Sequence, residues 1–447
     1  MMTKPIYITS ILAASFFSLS QSVTAAGFGL VEQGATMANA FAGGAAAAED
    51  ASTVYFNPAG MTYLPDNQLV MGLHAARPSA NFSNDGSTRS AATGGVATPG
   101  GDGGDGGSWA FIPYIYYAKS LTPDIKLGIA ISPLFGLKTE YDKDWVGRYQ
   151  GIKSDLKTIN INPSIAFKVN DEISLGFGVS AMRASAELTN AVDFGTILLA
   201  FPAPNPALIQ KRDGIATIKG DDWGFGWNMG AIFQVSDATR LGLSYRSQVH
   251  EKLDGTVSFS NVPSQFAASP ALSKNFGKGN ITAKLVTPDS LSAAIFHQIN
   301  EQWDIAGDVV WTRWSSFKDL TVIRSSGDQV ASIPENWKNA VRVAVGTSYK
   351  YNDRLKLRTG IAYDESPIPD EFRTPRIPDS DRIWLSLGGG YKLSPTSTVD
   401  IAYTHIFFEG SKLNRATEST SNALKDNLIG SYDNYANILS AQYTYSF

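Results

Sequence analysis

The chain ends in a segment whose two faces differ completely. Leu439, Ala441, Tyr443, Tyr445 and Phe447 alternate with Ser440, Gln442, Thr444 and Ser446. Successive side chains of a strand point to opposite faces, so this segment is one apolar wall and one polar wall, closed by an aromatic. In a bilayer an unpaired strand edge is intolerable, and a barrel whose last strand zips against its first removes both edges. A soluble sandwich or propeller would bury such apolar faces against each other. On the barrel reading the apolar wall meets outer-membrane lipid. The closing strand ending in Phe447 is then the expected point of engagement for the outer-membrane assembly machinery.

The same two-residue period recurs along the chain. Ile173, Leu175, Phe177 and Val179 alternate with Ser174, Gly176, Gly178 and Ser180. Trp303, Ile305, Val309 and Trp311 share one face, with Asp304, Asp308 and Thr312 on the other; Val399, Ile401 and Tyr403 interleave with Asp400 and Thr404. Aspartates cannot face lipid cheaply, so the polar face lines a lumen. Trp303, Trp311, Trp314, Tyr349 and Tyr351 cluster towards strand ends, as interface girdles would. About fourteen such segments are present, an even number as bacterial single-chain barrels require. They begin near Asn67, Trp109, Asp124, Asp155, Glu172, Gly220, Thr239, Ile281, Trp303, Lys338, Arg354, Arg382, Ser397 and Tyr432. Short turns at 169–171, 236–238, 351–353 and 393–395 contrast with long connections at 81–107, 190–219 and 365–381. The expected fold is all-β: a transmembrane antiparallel barrel in the outer membrane of a bacterium, with short periplasmic turns and long outer loops.

Lys4, the apolar stretch 6–19 and Val23-Thr24-Ala25 read as a signal peptide over 1–25, cut after Ala25. That stretch is shorter than the roughly 20 apolar residues of a membrane anchor. Residues 26–66 are rich in Gly and Ala and lack the strand pattern, so they are read as a hatch inside the barrel formed by 67–447. The lumen of so wide a barrel cannot be filled by wall side chains alone. The chain has no Cys, which excludes disulfides and thiolate metal sites. A net charge of −4 with 17% charged residues leaves no footprint for nucleic acid. The four His (His74, His250, His297, His405) are dispersed, so neither a metal nor another cofactor is expected. No local Ser- or Asp-with-His motif proposes an enzyme. The Gly- and Asp-rich run 99–107 is a single short copy and reads as a surface loop.

Several motifs together carry a resemblance. They are Ala26-Gly27-Phe28, Asn57-Pro58-Ala59, Trp223-Gly224-Phe225-Gly226-Trp227-Asn228 and Leu243-Ser244-Tyr245-Arg246-Ser247. Further along stand Arg358-Thr359-Gly360-Ile361-Ala362 with Ser366-Pro367, and the run from Ile377-Pro378-Asp379 to Trp384-Leu385-Ser386. With the aromatic terminus, they resemble the outer-membrane long-chain fatty acid transporter (FadL-type) family over essentially the whole mature chain. The resemblance implies a fourteen-strand barrel, plugged by an N-terminal hatch containing Asn57, Pro58 and Ala59, that passes hydrophobic small molecules inward by diffusion. It implies a pocket lined by Phe28 at the hatch start, and an outer groove in the loop carrying Phe194, Leu198, Leu199 and Phe201. Those loop residues have a second reading, as the packing of the loop itself. It implies, too, a lateral opening at a kink in strand three, where Pro133 has no N–H and Gly136 adds freedom. The other reading of Pro133 is an ordinary bulge or strand end.

The family pattern is not kept throughout. Its Arg on strand five falls at Ser185, and Arg183, two positions earlier, keeps the same face and is the candidate substitute. Simple alternation, however, groups Arg183 with the lipid-facing set. Its Lys before strand ten falls at Ile333, with Lys338 and Arg342 close by. Long-chain fatty acids are therefore the first substrate expectation, and neutral hydrocarbons (monoaromatics or alkanes) the second. A general porin or a surface adhesin remains as a further alternative.

Overall fold

The structure, a computed structural model, describes residues 26–65, 67–415 and 425–447, so the segment 1–25 read as a signal peptide lies outside the described residues. The wall begins with β1 (Gln68–Pro78), β2 (Ala110–Ser120), β3 (Ile125–Ser132, resumed at Gly136–Glu140), β4 (Lys153–Lys168) and β5 (Ile173–Asp193). It continues with β6 (Asp213–Ser236), β7 (Thr239–Arg246 and Val249–Phe259), β8 (Gly279–Thr287 and Ser290–Gln298) and β9 (Trp303–Thr312 and Asp319–Arg324). The remaining strands are β10 (Gln329–Pro334 and Ala340–Lys350), β11 (Leu355–Asp364), β12 (Arg382–Ser394), β13 (Ser397–Phe408) and β14 (Tyr435–Ser446). Each pairs antiparallel with its neighbours, giving a closed barrel of 14 strands. Closure is direct: Gln68 faces Ser446 and Leu69 faces Tyr445, while the other edge of β1 pairs with β2. The terminal Phe447 stacks on Tyr117 of β2 with ring centroids 6.2 Å apart.

The two faces sort as alternation demands. Phe177, Val179, Trp227, Leu243, Ile295, Val345, Ile401 and Leu439 stand exposed on the outside, while Asp308, Ser348, Ser386, Asp400, Thr404 and Gln442 are buried inside. On β6 the exposed apolar band runs from Val235 to Trp223; past it, Asp221 pairs outside with Arg183, and Lys219 with Glu187. Beyond the band the polarity inverts. Leu253, Val257, Ile281 and Leu285 are buried inward there, while His250, Lys252 and Asp254 face out. β5 and β6 continue as a paired hairpin to Asp193 opposite Asp213. The connection expected over 190–219 is thus shorter than its sequence suggested, and the sixth strand starts at Asp213 instead of Gly220.

Four adjacent strands break at one level. Arg246 pairs with Ser290, Ser290 with Thr312, and Thr312 with Ala340, forming one row across β7, β8, β9 and β10. Directly outward of that row the chain leaves the ladder at 247–248, 288–289, 313–318 and 335–339. These interruptions turn side chains into the lumen at a common height.

Residues 26–65 fill the lumen as short helical turns, Ala35–Asn39, Gly44–Ala47, Thr53–Phe56 and Pro58–Tyr63. Polar ties fasten them to the wall. Glu32 pairs with Arg342 at 3.0 Å, and Glu49 with Lys356 at 2.7 Å and Arg358 at 2.9 Å. Asn57 donates from Nδ2 to the Ala231 and Leu243 carbonyls of β6 and β7, at 3.0 and 3.2 Å. Its Oδ1 accepts from Ala59 N at 3.1 Å, capping the turn that Pro58 opens.

Candidate ligand passage and lateral gap

Phe28 sits where the interrupted strands converge. It is 2% exposed, and its ring centroid lies 4.8 Å from Trp314, 5.2 Å from Phe317, 5.5 Å from Trp337 and 5.9 Å from Phe135. Each of these rings comes from an interruption, of β9, β10 or β3, so the cage exists because the ladder stops there. Trp314 is 2% exposed and inside, which corrects its assignment to an interface girdle; Trp303 and Tyr349, in tilted contact with centroids 4.6 Å apart on the outer face, do fit one. Gly27 beside it takes φ +63, and a Cβ there would collide with the Trp337 ring. Gly27 N donates to Asp379 at 3.0 Å.

The hatch start also completes the broken strand. Leu30 N donates to the Leu134 carbonyl at 3.0 Å, and Gly136 N to the Phe28 carbonyl at 2.9 Å. Thr158 of β4 serves the rest of the break: its Oγ1 accepts from Phe135 N at 2.9 Å and donates to Phe135 O at 2.7 Å. Between the pairs Ser132–Asn160 and Gly136–Lys157, residues 133–135 face only 158–159, so β3 carries a bulge.

On its other edge β3 is open. The ladder between β2 and β3 runs from Ser120–Lys126 to Ile115–Ile131 and stops. From there Ala110 to Tyr114 ladder with β1 and Gly136 to Glu140 with β4, while Gly136 N and Glu140 N donate across to the Phe28 and Gly106 carbonyls, both at 2.9 Å. Carried two residues further, the same register would set Pro113 opposite Pro133. Neither has an N–H, so the ladder cannot continue. Both readings of Pro133 thus describe one place: a bulge towards β4 and a gap towards β2. Pro113 was not singled out from the sequence; the signal was there, a Pro inside an aromatic strand next to a strand that also holds one.

Behind the cage lies a cavity of about 120 Å³ lined by Leu30, Leu134, Phe135, Pro288, Trp314 and Arg246 among others. Arg246 Nη2 donates to the Tyr55 carbonyl at 2.9 Å and its guanidinium lies 5.0 Å over the Tyr55 ring. Nη1 is buried with no partner, and among the described residues no carboxylate lies within ion-pair distance of this Arg. Further out, a cavity of about 350 Å³ is lined by Leu188, Ile218, Phe259, Phe276, Val322 and Ile333, with Arg324 and Arg376 at its edge. Ile333, the position to which the resemblance brings the family's Lys, thus lines this cavity.

The other sequence candidates distribute differently. Arg183 stands on the outer wall, half exposed and paired with Asp221 at 2.9 Å, which corrects its assignment to the ligand. Alternation alone decides this: the residues that face inward on β5 are Met182 and Ala184, and both are fully buried. Ser185 faces out as well. Lys338 is exposed on the rim, where it lines a polar recess with Asp370 and Arg373. Phe194 is fully buried against Phe266 and Phe276, at 5.4 and 5.2 Å, so it packs the loop and is not an exposed surface. Leu198, Leu199 and Phe201 are half-buried, with Phe201 stacked on Phe266 at 5.7 Å. Ala59 presses so closely on β5 that a side chain at Gly176 would collide with its backbone.

The model of the family described as outer membrane protein transport protein (OMPP1/FadL/TodX) matches residues 16–447. The chain belongs to this family. Similar proteins include a putative outer membrane protein of Neisseria meningitidis serogroup B, 34% identical over 98% of both chains. The long-chain fatty acid transport protein of Escherichia coli K12 is 30% identical over 98% of this chain and all of its own. Among solved structures, a Pseudomonas aeruginosa FadL homologue superposes with a TM-score of 0.85 at 26% identity, covering 94% of this chain and 100% of the other. The Ralstonia pickettii toluene transporter TbuX shares the fold at a TM-score of 0.65 and 20% identity, covering 93% and 99%. The chain is an outer-membrane β-barrel of the FadL type.

Proposed function

We propose that this protein takes up hydrophobic compounds by diffusion and that long-chain fatty acids are its substrate. Arg246 carries the substrate reading: its Nη1 is buried without a partner beside the cavity behind the cage, whereas Arg342 on the same cavity is already paired with Glu32 and Asp308. A carboxylate leaving water needs one well-placed cation, whereas a hydrocarbon gains nothing from it. Relatives named as long-chain fatty acid transport proteins, about 30% identical over their whole length, support the same reading.

On this reading the ligand lands among the half-buried apolar residues of the 194–212 loop. It enters the outer cavity and reaches the cage when Phe28 withdraws. It leaves sideways into the bilayer between β2 and β3. A vestibule of about 640 Å³ at the periplasmic mouth is lined by Glu49, Asp304, Lys356, Arg358 and Asp400, an unfavourable axial exit for an acyl chain. A second reading, neutral monoaromatics, is favoured by the cage itself, whose rings around Phe28 carry no charge.

The test is uptake of labelled oleate and labelled toluene by cells lacking the protein, complemented with wild type or Arg246→Leu. Wild type should restore oleate uptake, and Arg246→Leu should cut it by about tenfold, as losing one charge-assisted hydrogen bond would. Restoration of toluene uptake alone would make this a hydrocarbon channel.

A further inference from the structure

Glu251 is a buried group that nothing so far explains. It lies in the outer half of β7, 3% exposed, and neither carboxyl oxygen has a hydrogen-bond partner. It shares its inward face with Val249 and Leu253, one on either side. Val249 packs with Leu134 and Met182, and Leu253 belongs to the cluster holding Phe28, Leu137 and Leu156. Leu134 lies in the β3 bulge and Leu137 just past it, so both neighbours of Glu251 on its face cluster with apolar groups from the break. Gly224 on β6 leaves it space: a Cβ there would lie 3.1 Å from Glu251 Cγ and collide with Val249. The nearest charged neighbour on that strand is Asp222, whose Oδ2 accepts from Lys252 N at 2.8 Å. It is a like charge. Lys252 itself faces out.

A carboxylate enclosed among apolar side chains without cation or donor costs several kcal/mol. The group is therefore stable there as the neutral acid, which holds one O–H donor and one carbonyl acceptor, both unused. An orphaned buried pair of this kind calls for a partner that arrives only in a working state. A fatty acid head group fits it: the acid closes two hydrogen bonds with Glu251, and the carboxylate accepts a strong one from its O–H. A hydrocarbon taking the same path leaves both positions unmet, which is the strongest form of rejection available to a polar site.

We propose that Glu251 is a hydrogen-bonding station for the ligand head group on the inner side of the β2–β3 gap, selecting carboxylic-acid amphiphiles over plain hydrocarbons. The proposal rests on the transport reading above and names the head-group chemistry of its exit side.

The experiment is equilibrium binding of oleate and of 1-octadecene to the full chain in nanodiscs, for wild type, Glu251→Leu and Glu251→Gln. Heat-modifiable gel migration reports that each variant is a folded barrel. Glu251→Leu should weaken oleate by about tenfold to a hundredfold and leave octadecene unchanged or tighter. Glu251→Gln keeps a donor and an acceptor and should stay within about threefold of wild type. Equal weakening of both ligands, or of neither, overturns the proposal and leaves the fatty acid reading standing. Wild type binding octadecene as tightly as oleate overturns both. Should Glu251→Leu not fold, infrared difference spectra decide. A protonated-carboxyl band absent from Glu251→Gln should shift on adding oleate, and a band that does not move refutes the station.

Discussion

Phe28→Ala removes the ring on which the hatch start depends. The side chain is 2% exposed and meets four aromatic rings with centroids within 5.9 Å. Truncating a Phe so enclosed costs about 3–5 kcal/mol, since the cage cannot collapse around rings held by separate strands. At about 1.4 kcal/mol per tenfold, the undocked population of the hatch start rises by roughly two to three and a half decades. Two amides report that population directly, because Leu30 N and Gly136 N bridge hatch and break. Hydrogen exchange in nanodiscs should therefore show peptides spanning 28–31 and 134–136 losing protection by about a hundredfold or more, with β12 to β14 unaffected. Loosening of 28–31 with Gly136 still protected would refute the reasoning. It would mean that β3 holds its broken shape without the hatch, and that the two cannot be one gate.

Two further outcomes follow from the geometry. Burial alone would raise the Glu49 carboxyl, but Lys356 and Arg358 hold it well below the usual carboxylate range. A group lowered in the folded state contributes above its unfolded value of about 4.3, and that contribution drains away as pH falls below it. Protease accessibility of the hatch should thus rise on acidification from about pH 5 downward, and Glu49→Gln should flatten that rise; identical profiles would sink the assignment. Pro113→Val with Pro133→Val returns two backbone donors to facing positions. Regained rungs at about 1 kcal/mol each should raise thermal stability while lowering ligand uptake. Stabilisation with uptake intact would show that the ligand leaves elsewhere.

Alternation made most of the barrel legible, because lipid outside and polar groups inside impose the same period on every strand. The starts read at Asp124, Glu172, Thr239, Trp303 and Ser397 lie within a residue of those observed. Legibility failed where the solvent changes. Beyond the apolar band, Gly214, Ala216 and Ile218 turn inward and Thr217 and Lys219 outward, the reverse of the order inside it, so the period looks lost although the strand continues. The site was less legible, for a different reason. Its rings, Phe135, Trp314, Phe317 and Trp337, lie in interruptions that carry no period, and only the fold shows them to be at one height. Arg183 failed because keeping the face of Ser185 kept the wrong face. Arg246 gave no signal of its own: a basic residue on a lumen face is ordinary until its unpartnered Nη1 is seen.

The cage has a consequence for the order in which the molecule is put together. Phe28 has almost nothing to dock on until β9 and β10 are in the wall, and Gly27 binds Asp379, 352 residues away along the chain. Contacts so distant in sequence close late, after the loops between them have been ordered. The hatch start, near the beginning of the chain, is therefore seated late, after the strands that build its cage have joined the wall.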